Sequence, residues 1–124
     1  MNAERFSLHK RVRSFYYALA GIFRFFRTEH NAWLHLTATI AVLGLAMICR
    51  LNSTEMVLLV FAVGFVWAAE LFNTCIEKVM DFISTEQHPQ IKVIKDMAAG
   101  AVLIAAITSL VIGLILFIPK IFEQ

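Results

Sequence analysis

The sequence predicts an all-α integral membrane protein: three transmembrane helices preceded by an N-terminal amphipathic surface helix. Three observations carry that expectation. Of 124 residues, 60% are hydrophobic and 16% charged, with mean hydropathy +0.74. A soluble fold this small leaves too much of its area in water to hide so much apolar surface. Second, Ala32 to Cys49 and Met97 to Ile118 contain no Asp, Glu, Lys or Arg, and a third stretch from Met56 is uncharged as far as Ala69. Third, the basic residues are concentrated before the first stretch and in one internal loop. Helices are expected over strands, because an open sheet edge has no hydrogen-bond partner in hydrocarbon.

The elements follow in order within a single domain over residues 1–124. Over about 5–28, Val12, Phe15, Tyr16, Leu19, Ile22, Phe23 and Phe26 fall at helical spacing along one stripe. Lys10, Arg13, Ser14, Tyr17, Gly21 and Arg24 occupy the other side. Such a basic amphipathic helix lies in the membrane surface with its aromatic side down. The segment lacks the continuous apolar core and small-residue cleavage site of a signal peptide. The spans are expected at about 32–50, 55–83 and 90–118, the last stopping at Pro119. A hydrocarbon core of ~30 Å needs ~20 helical residues. The middle span meets this only if its acidic end reaches the interface. Trp33 and Trp67 read as belt or packing residues and His35 as a packed polar group. Cys49 and Cys75 fall toward opposite membrane faces and read as free thiols.

Orientation follows from the bases. Arg5, Lys10, Arg11, Arg13, Arg24 and Arg27 precede the first span, and Lys78, Lys92 and Lys95 separate the second from the third. The other two ends offer only Arg50 and Lys120. The positive-inside rule puts the N-terminus and the 78–96 loop in the cytoplasm.

The acids then sort with them. Glu29, Glu70, Glu77, Asp81, Glu86 and Asp96 fall on the cytoplasmic side, against Glu55 and Glu123 outside. Met56 to Glu70 covers ~21 Å of helix, which leaves Glu70 inside the boundary of a core of ~30 Å. An ionisable group there is costly and usually functional. Asn73 and Glu77 share its face at i+3 and i+7. Carboxylates so close repel unless a cation sits between them or one holds a proton. Hard oxygen ligands without a His–Cys set point to Mg²⁺, which commonly arrives with phosphate.

Phosphoryl transfer is therefore the chemistry these residues suit. It needs a metal, in-line positioning, cationic help and a base for the attacking hydroxyl. Glu29 and Glu77 can hold Mg²⁺, Lys95 and the N-terminal bases can neutralise phosphate, and Glu70 is the best-placed general base. No GxxxxGK[ST] or GxGxxG occurs, so no soluble kinase fold is hidden here. A small proton-coupled transporter would also use an intramembrane Glu, but it would place it near the midplane and show repeats. A membrane scaffold would have no reason to gather acids at one face.

The stretch "AELFNTCIEKVMD", followed by "EQHPQIKVIKDMAAGAV", resembles the signature of the prokaryotic diacylglycerol kinase family, small integral membrane lipid kinases. The pattern E-x-x-N-[ST]-x-x-E-x-x-x-D falls on Glu70, Asn73, Thr74, Glu77 and Asp81, and a K-D pair before small residues on Lys95–Asp96 and Ala98 to Ala101. The likeness runs nearly the whole chain. It implies a homotrimer in the bacterial cell membrane, with active sites between subunits near the cytoplasmic face and ATP as donor. By resemblance, Glu70 is the proton acceptor, supported by Asn73, and Glu29 and Glu77 are the Mg²⁺ ligands. These two acids, with Tyr17, Glu86, His88, Lys95 and Asp96, would contact nucleotide. Lys10 would join Glu70 on the lipid side, at a position where the family often has Arg; Lys cannot make the bidentate contact of Arg. Ala20 likewise replaces a common basic residue. Small residues of the third span read as close-packing positions.

The family divides between undecaprenol and diacylglycerol as acceptor. Here "RTEHN" around Glu29 and the proline after His88 resemble the undecaprenol branch. In the diacylglycerol branch the residue before Glu29 is commonly Asn and that proline is missing. Undecaprenol is the expected substrate, with diacylglycerol the alternative.

Overall fold

The structure, a computed structural model, describes residues 7–122, and these are almost wholly helical. Helix α1 covers Leu8–Thr28, α2 His30–Ile48, α3 Ser53–Ile83 and α4 Pro89–Phe122. Arg5, Glu123 and the start of the expected surface helix lie outside the described residues. Helices α2, α3 and α4 are each long and apolar enough to cross a membrane. The chain forms two compact units, one reaching Thr37 and the other beginning at Ala38.

In the first unit, α1 carries no acid between Leu8 and Thr28. It ends because Glu29 takes an extended backbone (φ −111°, ψ 118°), although its N–H still donates to Phe25 O at 2.9 Å. The next helix restarts at His30. Trp33 secures this elbow: its Nε1 donates to Phe26 O at 3.0 Å and its ring meets the Phe26 ring edge-on, centroids 5.7 Å apart.

In the second unit, the end of α2 packs with the start of α3 and the end of α4. Ala46, Cys49, Leu59, Leu116 and Phe117 form the buried cluster, edged by Val42, Leu43, Leu51, Met56 and Ile112. The α2–α3 turn is locally encoded. Arg50 adopts φ 51°, Leu51 N–H donates to Ala46 O at 3.1 Å, and Arg50 N–H donates to Met47 O at 3.3 Å. That is a Schellman ending, with Leu51 packing back onto the buried cluster. Asn52 then caps α3. Its Oδ1 accepts from Glu55 N–H at 3.0 Å, while its own N–H donates to the Glu55 carboxylate at 2.8 Å.

Farther along, α3 and α4 pack side by side. Ala62, Ala98 and Ala105 are buried, and Ser109 Oγ donates to Ala62 O at 2.9 Å. Small side chains allow the backbones to approach, which is how helices associate in lipid. Large apolar groups such as Ile40, Phe61, Ile104 and Ile115 instead face outward. Cys75 is exposed and Cys49 buried, and both are free.

One expectation is corrected. The last helix does not stop at Pro119 but runs through it to Phe122. Proline removes one backbone donor, which usually breaks a helix. Here the turn before it is anchored by buried Leu116 and Phe117, and the residue after it, Lys120, pairs with Glu55 at 3.2 Å.

Candidate active site

Helix α3 supplies the acidic stripe. Glu70 and Thr74 are each only 7% exposed, four residues apart on one face. One turn on, Asn73 Nδ2 donates to Glu77 Oε1 at 3.2 Å, an i,i+4 pair that orients both side chains. The other amide atom, Asn73 Oδ1, is buried with no hydrogen-bond partner among the described residues. A buried acceptor left unsatisfied costs about 1–3 kcal/mol, so its presence points to a ligand. Asn73 Oδ1 and the Glu77 carboxylate are hard oxygens of the kind Mg²⁺ takes. Among the described residues no group of three or more His, Cys, Asp or Glu is gathered for a metal. A nucleotide-borne Mg²⁺ needs only one or two carboxylates, because phosphate and water complete its shell. The residues fit such an ion.

Beyond the stripe, the end of α3, the 84–88 loop and the start of α4 enclose a cleft of about 580 Å³. Glu86, His88, Lys95 and Asp96, four of the expected nucleotide positions, all line it. The walls follow from local rules. Ser84 ends α3, and its Oγ accepts from Glu86 N–H at 3.1 Å, which turns the loop. Pro89 opens α4, where a missing N–H does no harm. His88, just before it, accepts from Gln90 N–H through Nδ1 at 3.2 Å. That bond assigns the imidazole proton to Nε2 when the ring is neutral.

Two ion pairs line the cleft. Lys95 Nζ meets Asp81 Oδ1 at 2.5 Å, joining α4 to α3. Lys92 pairs with Asp96 one turn further along α4. Sequence reasoning assigned Asp81 and Lys92 no contact role. The spacing of Lys92 and Asp96 could have signalled their pair. Nothing local could have signalled Asp81 with Lys95, fourteen residues apart.

The remaining expected site residues, Lys10, Tyr17 and Glu29, belong to the first unit. Lys10 and Tyr17 are exposed on α1, the Tyr17 ring edge-on to Tyr16 at 5.9 Å. Glu29 is half-buried at the α1–α2 elbow, and its Oε1 lies 3.1 Å from the Thr28 hydroxyl. The structure thus gathers Asn73 with Glu77, and Glu86, His88, Lys95 and Asp96 with one another.

Residues 16–117 match the family model described as prokaryotic diacylglycerol kinase. The chain belongs to the prokaryotic diacylglycerol kinase family. It is similar to an undecaprenol kinase of Bacillus subtilis, 39% identical over 116 residues and 94% of each chain. A Synechocystis diacylglycerol kinase is 36% identical over 111 residues, 89% of this chain and 63% of that one. A Helicobacter pylori diacylglycerol kinase is 36% identical over 83 residues, 61% of this chain and 65% of that one. Membership of the prokaryotic diacylglycerol kinase family makes this chain a multi-pass membrane lipid kinase, and kinase chemistry implies ATP as the phosphoryl donor.

Proposed function

We propose that the enzyme transfers the γ-phosphoryl group of ATP to the hydroxyl of undecaprenol at the cytoplasmic face of the bacterial cell membrane. It works as a homotrimer with sites between subunits. Both compact units form one kinase domain, with α1 in the membrane surface and the N-terminus cytoplasmic. The observation that carries this reading is the alignment of two features along α3. The buried carboxylate Glu70 and the Asn73–Glu77 pair lead directly into the cleft bounded by Asp81, Glu86, His88, Lys95 and Asp96. A lipid alcohol reaches the first through the bilayer, and a nucleotide reaches the second from water.

In this mechanism Glu70 takes the proton of the lipid hydroxyl, whose oxygen attacks the γ-phosphorus in line while ADP leaves. Burial shields Glu70 from water, which would otherwise compete for the phosphoryl group. Lys95 exchanges its exposed pairing with Asp81 for the phosphates. Exposed pairs are worth about 0–1 kcal/mol, so that exchange costs little. Glu77 and Glu29 would hold Mg²⁺, which when bound neutralises phosphate charge, and Asn73 Oδ1 supports that oxygen set. Tyr17 and His88 contact nucleotide, and Lys10 sits at the lipid mouth.

Undecaprenol is favoured by the Bacillus relative and by Thr28 and Pro89 in the positions that mark that branch. Diacylglycerol is the second reading, favoured by the names of the other relatives. Labelled-phosphate transfer from MgATP to each lipid in mixed micelles tests both. Transfer to undecaprenol in preference to diacylglycerol is expected; the reverse order would overturn the acceptor, and transfer to neither would overturn the kinase reading.

A further inference from the structure

Near its C-terminal end, α1 presents a hollow of about 450 Å³ lined by Ala20, Phe23, Arg24, Arg27 and Thr28. We propose that it docks the phosphate of an anionic membrane phospholipid, held between the Arg24 and Arg27 guanidinium groups. The proposal rests on α1 lying in the membrane surface.

Four observations support it. Arg24 and Arg27 stand at i,i+3, where side chains of a helix are neighbours. Neither guanidinium has an ion-pair or hydrogen-bond partner among the described residues, so both forks are available. Two planar forks side by side suit a phosphate's oxygens, which accept bidentate pairs. Next, Thr28 Oγ1 lies 3.1 Å from both Arg24 O and the Glu29 carboxylate, so its one hydroxyl proton is engaged within the chain and phosphate binding falls to the arginines. Third, Ala20 is small and uncharged, which leaves room in the hollow.

The fourth observation separates a lipid from a soluble phosphate. Phe23 lines the same hollow, is 65% exposed, and continues an exposed row of Phe15, Tyr16 and Leu19. Free phosphate has no use for an aromatic wall. A phospholipid does, because its glycerol and upper acyl chain lie beneath its headgroup while the arginine stems extend up to the phosphate. Helix α1 also has Lys10, Arg11 and Arg13 and no acid between Leu8 and Thr28, which favours an anionic leaflet. The nearest carboxylate, Glu29 at its C-cap, lies 3.1 Å from the Thr28 hydroxyl.

Native mass spectrometry of the full chain, incubated in detergent with equal phosphatidylglycerol and phosphatidylcholine, tests this. The wild type is expected to retain phosphatidylglycerol, and Arg24→Gln/Arg27→Gln to lose roughly tenfold of that retention. Arg11→Gln/Arg13→Gln, which removes the same charge elsewhere on α1, should keep most of it. Equal losses in the two pairs would overturn the site in favour of diffuse charge. Displacement by millimolar inorganic phosphate or ATP would overturn the lipid as occupant. Should the glutamine pair misfold by circular dichroism, Arg24→Lys/Arg27→Lys carries the test: retention must fall, since lysine has charge without the fork, and unchanged retention overturns the clamp. Phosphotransfer is assayed separately on the same wild type, so a failed kinase reading and a failed lipid site give different results.

Discussion

Trp67 Nε1 donates to Thr39 Oγ1 at 3.0 Å, tying α3 to α2 one turn before Glu70. The bond is partly buried in the apolar part of both helices. There, water cannot replace a lost partner, so the bond adds to side-chain packing in fixing how the two helices meet. It pairs with the Ser109–Ala62 bond, which ties α3 to α4 farther from the acidic stripe. Thr39→Val and Trp67→Phe should each lower stability by about 0.6–1.7 kcal/mol, read as thermal midpoints in detergent. Thr39→Ser should keep most of it. A double mutant losing the full sum of both would deny that the two residues act through one bond.

Glu70 is expected to be the proton acceptor. Glu70→Gln keeps shape and burial but has no basic oxygen. Turnover should fall by about 10²–10⁴, with KM for ATP little changed. Wild-type-like turnover would remove Glu70 from that role.

Asn73 offers a test that stability and activity can be moved in opposite directions. Its Oδ1 is buried and unsatisfied, a cost of about 1–3 kcal/mol. Asn73→Leu removes that acceptor, so the thermal midpoint should hold or rise while phosphotransfer is lost. A matched drop in both would mean the amide is structural. Glu77→Gln should instead leave residual activity that needs more Mg²⁺, read from a magnesium titration.

Lys95 and Asp81 should affect the same parameter by different amounts. Lys95→Met removes the cation expected at the phosphates and should lower kcat/KM for ATP by about 10² or more. Asp81→Asn only releases the ammonium from a pair that is 35% exposed on the lysine side and 59% on the aspartate side. Because Lys95 leaves that pair to reach the phosphates, kcat/KM should shift by no more than about fivefold, within the modest worth of exposed pairs. An equal loss in both would mean that Asp81 itself contacts nucleotide.

Arg50 occupies the left-handed region at φ 51°, which costs a non-glycine residue about 1 kcal/mol. Arg50→Gly relieves the turn at some expense in unfolded-chain entropy. A small rise in thermal midpoint is expected, with unchanged kinase activity.

The sequence by itself determined the helices, their approximate ends and the family. Apolar run length reads directly as a span, and the Asn52–Glu55 cap and the Pro89 start are chemistry between close neighbours. The E-x-x-N-[ST]-x-x-E stripe was legible because the helical repeat brings Asn73 within reach of Glu77. What only the tertiary structure decided lies between helices. Asp81 with Lys95, Trp67 with Thr39, and the continuation of α4 past Pro119 each depend on a partner far along the chain. The cleft depends on the same thing, since its walls are the ends of two helices. Local periodicity states which way a side chain faces on its own helix, but the neighbour it meets is set by how the helices pack.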